Sequence, residues 1–257
     1  MHTIRSSALQ RRPPLLDLID LRSQTLPFAL LLTLSIAGSI VAVTLVRVPL
    51  WQATAGALLV ILPPALLKWR DDARRYGVPA MTLCVLLALQ GFHTIEHIAQ
   101  WTQYHILRWP SFRSNGLLSA ANSEWVHFVW NWGFLLVCVY LVHAGMRGWW
   151  GWLLLGVAAF HTLEHTYLMW RFQVTLRELG ALGITDLQPQ GLPGFFGRDG
   201  WLATSDMTQN TFLCRLPGFA TAPRIDVHFW WNVIEMTFLL PAANDFARRV
   251  RAARVVA

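Results

Sequence analysis

The sequence predicts an all-α, polytopic membrane protein of about six transmembrane helices. The last four form a metal-binding bundle built from an internal parallel duplication. Three observations carry this reading. Of 257 residues, 54% are hydrophobic and only 14% charged, with mean hydropathy +0.40, a balance outside the range of soluble domains. Apolar runs long enough to cross a hydrocarbon layer about 30 Å thick, which takes about 20 helical residues, recur along the chain. Finally, an ionisable string inside one such run, His93-Thr94-Ile95-Glu96-His97, returns inside another as His161-Thr162-Leu163-Glu164-His165.

Residues 1–26 are polar and basic. Leu15, Leu16, Leu18, Ile19 and Leu21 mark either a short amphipathic stretch on the inner surface or part of a poorly ordered tail. Arg11 and Arg12 precede a run over 27–46 that is too long for a usual signal sequence and reads as a retained first helix. Spans follow at 27–47, 50–68, 78–107, 124–145, 149–176 and 226–243, with Pro63-Pro64 a candidate kink in the second. The chain thus divides into an N-terminal segment (1–26), two leading spans (27–77), a first repeat (78–147), a second repeat (148–245) with a long loop at 177–225, and a basic tail (246–257).

The net charge of +7 sits in short clusters beside apolar segments, as orientation in a bilayer requires, so a nucleic-acid partner is excluded. Arg5, Arg11, Arg12 and Arg22, the cluster Lys68, Arg70, Arg74 and Arg75, then Arg147, and the tail Arg248, Arg249, Arg251 and Arg254 place both termini in the cytoplasm of a multi-pass plasma (inner) membrane protein. Segments 108–123 and 177–225 then face outward, the second long enough to serve as a lid. Several of the tryptophans flank apolar runs as interfacial anchors: Trp51, Trp69, Trp109, Trp149 and Trp150. Cys84, Cys138 and Cys214 show no metal-ligand spacing and read as packing residues.

Each H-T-x-E-H string is followed by a second shared string, Val126-His127-Phe128-Val129-Trp130-Asn131 and Val227-His228-Phe229-Trp230-Trp231-Asn232. Counting along the helices puts His93 and His97 roughly 22–28 Å, and His161 and His165 roughly 18–24 Å, above the cytoplasmic ends of their spans. His127 and His228 fall in the first turn of spans entering from outside. All six imidazoles are therefore expected at one depth. Positions i, i+3 and i+4 share a helix face, so His93, Glu96, His97, His127, His161, Glu164, His165 and His228 are the expected ligands of a dinuclear centre. Glu96 and Glu164 are candidate bridges.

Asn131, Asn232 and Asp226 are expected beside the ligands, with Asp226 orienting His228 or capping its helix. Glu235 is the candidate proton donor. Imidazole with carboxylate suits iron first, then copper or zinc, and the lack of clustered thiolates argues against iron–sulfur and copper(I). Ionisable residues at membrane depth usually mark function rather than packing, although polar side chains also join helices by hydrogen bonds.

The chemistry resembles that of membrane fatty-acid hydroxylases and desaturases, which gather histidine boxes from several helices around two irons. Their H-x-x-H-H box is absent here, so the likeness is one of chemistry and not of kinship. The favoured expectation is an oxidoreductase of oxygenase or oxidase type, acting on a small or lipophilic substrate with an external electron donor or partner subunit. A divalent-metal transporter or sensor and a haem- or chlorophyll-binding subunit are the alternatives. Transporters often use inverted repeats, whereas these two copies run the same way.

Overall fold

The computed structural model describes residues 14–119, 123–187, 189 and 191–256, with side chains to residue 252. Among them the chain is helical, with no strand. A short helix α1 (Pro14–Ile19) leads through a 3₁₀ turn (Arg22–Gln24) to α2 (Thr25–Val41), whose end loosens into a π turn over Ala42–Val46. The long helices α3 (Leu50–Tyr76), α4 (Val78–His105), α5 (Glu124–His143) and α6 (Trp149–Ala181) follow. Two single turns, α7 (Trp201–Thr204) and α8 (Phe212–Arg215), interrupt the long loop before α9 (Arg224–Val256).

Four segments are long and apolar enough to cross a membrane: Arg22–Val46, Leu50–Tyr76, Val78–His105 and Glu124–His143. The expected fifth and sixth spans form as helices of 33 residues each. By composition they fall short, because histidines, carboxylates and tryptophans dilute their apolar content. Several boundaries also shift. The second span continues unbroken through Pro63 and Pro64 to Tyr76, and the stretch expected as a basic tail continues α9 to Val256. The arginines at positions 5, 11 and 12 lie outside the described residues.

Two compact units emerge, and the boundaries between them fall inside α4, α5, α6 and α9. One comprises the residues up to Gln90 with Val137–Leu154 and those from Thr237 on; the other is Gly91–Leu136 with Leu155–Met236.

In the first unit α2 packs along α3. Leu26, Leu34, Leu45 and Leu59 are 66–76% exposed, an apolar surface that only lipid-like solvent stabilises. At one end of this unit Lys68 and Asp72 are buried as an ion pair. The Lys68 ammonium also donates to the Leu18 carbonyl (2.6 Å) and lies 3.4 Å from Cys84 Sγ. Arg22 adds ion pairs to Asp71 and Asp72. The amphipathic stretch expected on the membrane surface is thereby fastened to protein. Its Leu15 N–H donates to Asn244 Oδ1, and Asp17 pairs with Arg251. A buried charge pair of this kind needs every partner satisfied, and the Leu18 carbonyl supplies one.

Candidate metal centre

The second unit contains every residue the sequence singled out for the site. His93 and His97 come from α4, His127 from α5, His161 and His165 from α6, and His228 from α9. Their rings form one connected cluster. Centroids are 4.6 Å apart for His93–His97, 4.9 Å for His161–His165, 5.2 Å for His127–His165, 5.1 Å for His165–His228, 5.6 Å for His97–His127 and 5.9 Å for His97–His228. Five of the six are buried and His93 is half-buried. The ligand atoms of His93, His97 and His127 all lie within 4.8 Å of one another, so this triad could hold a metal ion.

Four imidazoles have one nitrogen fixed by an oxygen. His127 Nδ1 lies 3.2 Å from the Ser123 carbonyl and His228 Nδ1 lies 2.9 Å from the Arg224 carbonyl, in each case one turn back. A carbonyl only accepts, so both Nδ1 atoms carry the proton and each Nε2 keeps its lone pair. That is the tautomer of a metal-binding histidine. His228 Nε2 is buried and has no hydrogen-bond partner. His161 Nδ1 meets Glu235 Oε1 at 2.7 Å, and His97 Nδ1 meets Gln100 Oε1 at 3.0 Å. The remaining nitrogens then face each other in matched pairs, His97 Nε2 to His93 Nε2 at 3.3 Å and His165 Nε2 to His161 Nε2 at 3.2 Å.

The two copies match beyond the histidines. Trp130 lies 5.0 Å from the ring of His93, and its counterpart Trp231 stacks on His161 at 5.0 Å and 8°. Asn131 Nδ2 and Asn232 Nδ2 donate to the backbone carbonyls of His127 and His228. These asparagine amides therefore fix the first turns that carry the ligands. Thr162 Oγ1 donates to the Asn131 carbonyl and Trp132 Nε1 to Thr166 Oγ1, tying α6 to α5.

The glutamates bond to backbone. Glu96 and Glu164, expected as ligands or bridges, turn to the loops. Glu96 accepts the Leu117 N–H at Oε2 (2.9 Å) and the Leu118 N–H at Oε1 (2.7 Å). Glu164 accepts the Phe195 N–H at 3.1 Å from both oxygens. The reason is helical geometry. Residue i+3 is turned about 60° from i and about 100° from i+4, so the carboxylate leaves the helix beside the imidazoles and not between them.

In both copies the segment held is a glycine followed by two apolar residues, Gly116-Leu117-Leu118 and Gly194-Phe195-Phe196. One helix position seven residues beyond the glutamate adds a second hold. Gln103 exchanges two hydrogen bonds with the Gly116 backbone, and Arg171 donates to the Pro193 carbonyl. These loop anchors were not among the expected residues; the recurrent glycine–apolar–apolar triplet is the signal that would have found them.

Asp226 bonds to another histidine. It neither orients His228 nor caps its helix: its Oδ1 meets His105 Nε2 at 2.6 Å. Two residues along a helix are about 200° apart, so Asp226 and His228 leave opposite faces.

Glu235, expected to be a proton donor, is held by His161. It lies seven residues after His228 and so on the same face, which brought it to the cluster. Its counterpart in the first copy is Phe134, and the counterpart of Gln100 in the second is Leu168. The two stretches thus differ in which histidine receives a side-chain acceptor. With Leu168 in place of a glutamine, His165 Nδ1 is left without a partner.

At the start of α5 and α9, Glu124 and Arg224 pair at 2.6 Å. A cavity of about 790 Å³ lies among these first turns and the two loops. A second, more apolar cavity of about 670 Å³ runs along α9 past Trp230, Trp231 and Ile234. Comparison with protein-family models, with curated proteins and with solved structures finds no match.

Proposed function

We propose that this chain is an integral-membrane metalloprotein with a dinuclear histidine centre, acting as a metal-dependent oxidoreductase. The observation that carries the reading is the orientation of the imidazoles. Where an Nδ1 partner is fixed it is an oxygen, and the Nε2 atoms of His93, His97, His161 and His165 are turned toward one another. Tetrahedral zinc–nitrogen bonds of 2.0–2.1 Å imply nitrogen–nitrogen edges of about 3.3 Å, and the two Nε2–Nε2 separations of 3.3 and 3.2 Å agree. His93, His97 and His127, whose ligand atoms lie within 4.8 Å of one another, would hold one ion, and the facing pair His161 and His165, joined by His228 after a small movement, would hold the other. With both glutamates engaged by backbone the donor set is nitrogen only, which favours copper or zinc over the iron expected from a mixed histidine–carboxylate site.

A copper pair held there would supply one-electron chemistry and O₂ binding, which redox-inert zinc would not. The chain's own residues orient the ligands, close the loops over them and keep Glu235 within reach as a proton carrier. Electrons would come from an external donor or partner subunit.

Six spans with both termini cytoplasmic, and descent of the two helical pairs from a duplication, belong to the same proposal. The matched tryptophans, asparagines and loop anchors support the duplication. On α6, Phe160, Leu163 and Trp170 are exposed on the side away from the buried His161, Glu164 and His165, as a lipid-facing helix with an interior polar face would be.

The test is a redox cycle. Anaerobic reduction followed by O₂ should change the metal absorption reversibly. A spectroscopically silent centre combined with metal flux into proteoliposomes would replace this reading with a transporter. Glu235→Gln should weaken metal affinity by about 10–100-fold, the usual cost of losing a ligand's supporting carboxylate, as measured by chelator competition. An unchanged affinity would remove Glu235 from the site.

A further inference from the structure

We infer that the polar cavity beside His228 is the chamber through which a small, uncharged, water-soluble substrate reaches the histidine cluster, an inference that rests on the metal-centre reading. Its wall is built from the groups that orient the ligands. The Ser123 carbonyl fixes His127, the Arg224 carbonyl fixes His228, and Gln100 fixes His97; all three residues line the cavity, as does His228 itself. His228 Nε2, buried and without a partner, belongs to a residue of this wall. Whatever fills the cavity therefore adjoins the groups that hold the imidazoles in place.

The lining selects the class of molecule. Tyr104, Asn115 and four serines supply hydroxyl and amide hydrogen bonds. The charges cancel: Arg224 is paired with Glu124 at 2.6 Å, and Arg198 is followed directly by Asp199, both in the wall. No net field is left to select an ion. The volume of about 790 Å³ suits a small molecule.

The apolar cavity along α9 is a poorer route. Trp231 lies in its wall and stacks on His161, and no histidine borders it. A lipid arriving there would have to displace that ring.

The test uses metal-loaded full-length protein in sealed vesicles with Cys214→Ser removing the half-buried native thiol. Ser123→Cys places a thiol on the chamber wall. A membrane-impermeant thiosulfonate should label it, and the adduct should abolish extraction of the metal by EDTA over the time that empties unlabelled protein. Asn115→Cys, at another position of the chamber wall, repeats the test should Ser123→Cys fail to fold. Trp230→Cys, on the apolar cavity, should leave extraction unchanged after modification. Chamber thiols that resist the reagent, or adducts that leave EDTA extraction at its original rate, overturn the inference while the metal-centre reading stands. Wild-type protein without metal would overturn that reading instead.

Discussion

Changing His97 and His165 together to alanine should empty the protein of its transition metal. Each imidazole forms one side of a facing Nε2 pair, with His93 at 3.3 Å and with His161 at 3.2 Å. The double change therefore removes one ligand from each triad and leaves neither ion with more than two protein nitrogens. His97→Ala alone should halve the metal content, because the second triad is untouched. His143→Ala, which lies outside the cluster, should leave it unchanged. Elemental analysis of the purified variants reads all three outcomes. Were the imidazoles only joining helices by hydrogen bonds, the double change would lower thermal stability without any effect on bound metal.

The second large effect is expected at the loop anchors. A side chain at Gly194 would overlap Glu164 Oε1, and one at Gly116 would overlap Glu96 Oε1. Gly194→Ala forces the carboxylate off the Phe195 N–H. Hydrogen bonds to a charged group contribute about 1.5–3 kcal/mol each. Gly116 also has φ +73°, where an alanine costs a further 1–2 kcal/mol or so. Gly116→Ala should therefore be the more damaging of the two, as thermal unfolding in detergent would show.

Glu96→Gln separates anchoring from ligation. The amide oxygen still accepts a backbone N–H, so metal content should stay at the wild-type value while the loop becomes more sensitive to protease. A loss of metal with an intact loop would restore Glu96 as a ligand.

What the sequence made legible was whatever depends on helical periodicity and on repetition. The two H-T-x-E-H strings and the two later histidines lie on helices, and their six rings form one connected cluster. Glu235 was visible as a carboxylate one turn beyond Asn232 in an apolar helix. Spacing along a helix leaves the direction of a side chain open. Glu96 and Glu164 share the histidines' side of the helix but leave it at an angle, and Asp226 leaves on the opposite face from His228.

The loops were illegible because their hold is on backbone N–H groups, which carry no residue identity. Only the glycine that lets the chain approach the carboxylate betrays them. The shortfall from six apolar spans to four has a related cause. The residues that build the site on α6 and α9 are the ones that lower the hydropathy of those helices.

The central claim is that six imidazoles share bound metal, and the direct test is the metal content of the wild-type protein purified in mild detergent without chelators. The account expects a transition metal in stoichiometric amount, two ions per chain, with X-ray absorption showing a nitrogen-dominated shell near 2.0–2.1 Å. Protein that is folded, retains its thermal stability and carries no stoichiometric metal after incubation with copper, zinc or iron would contradict it.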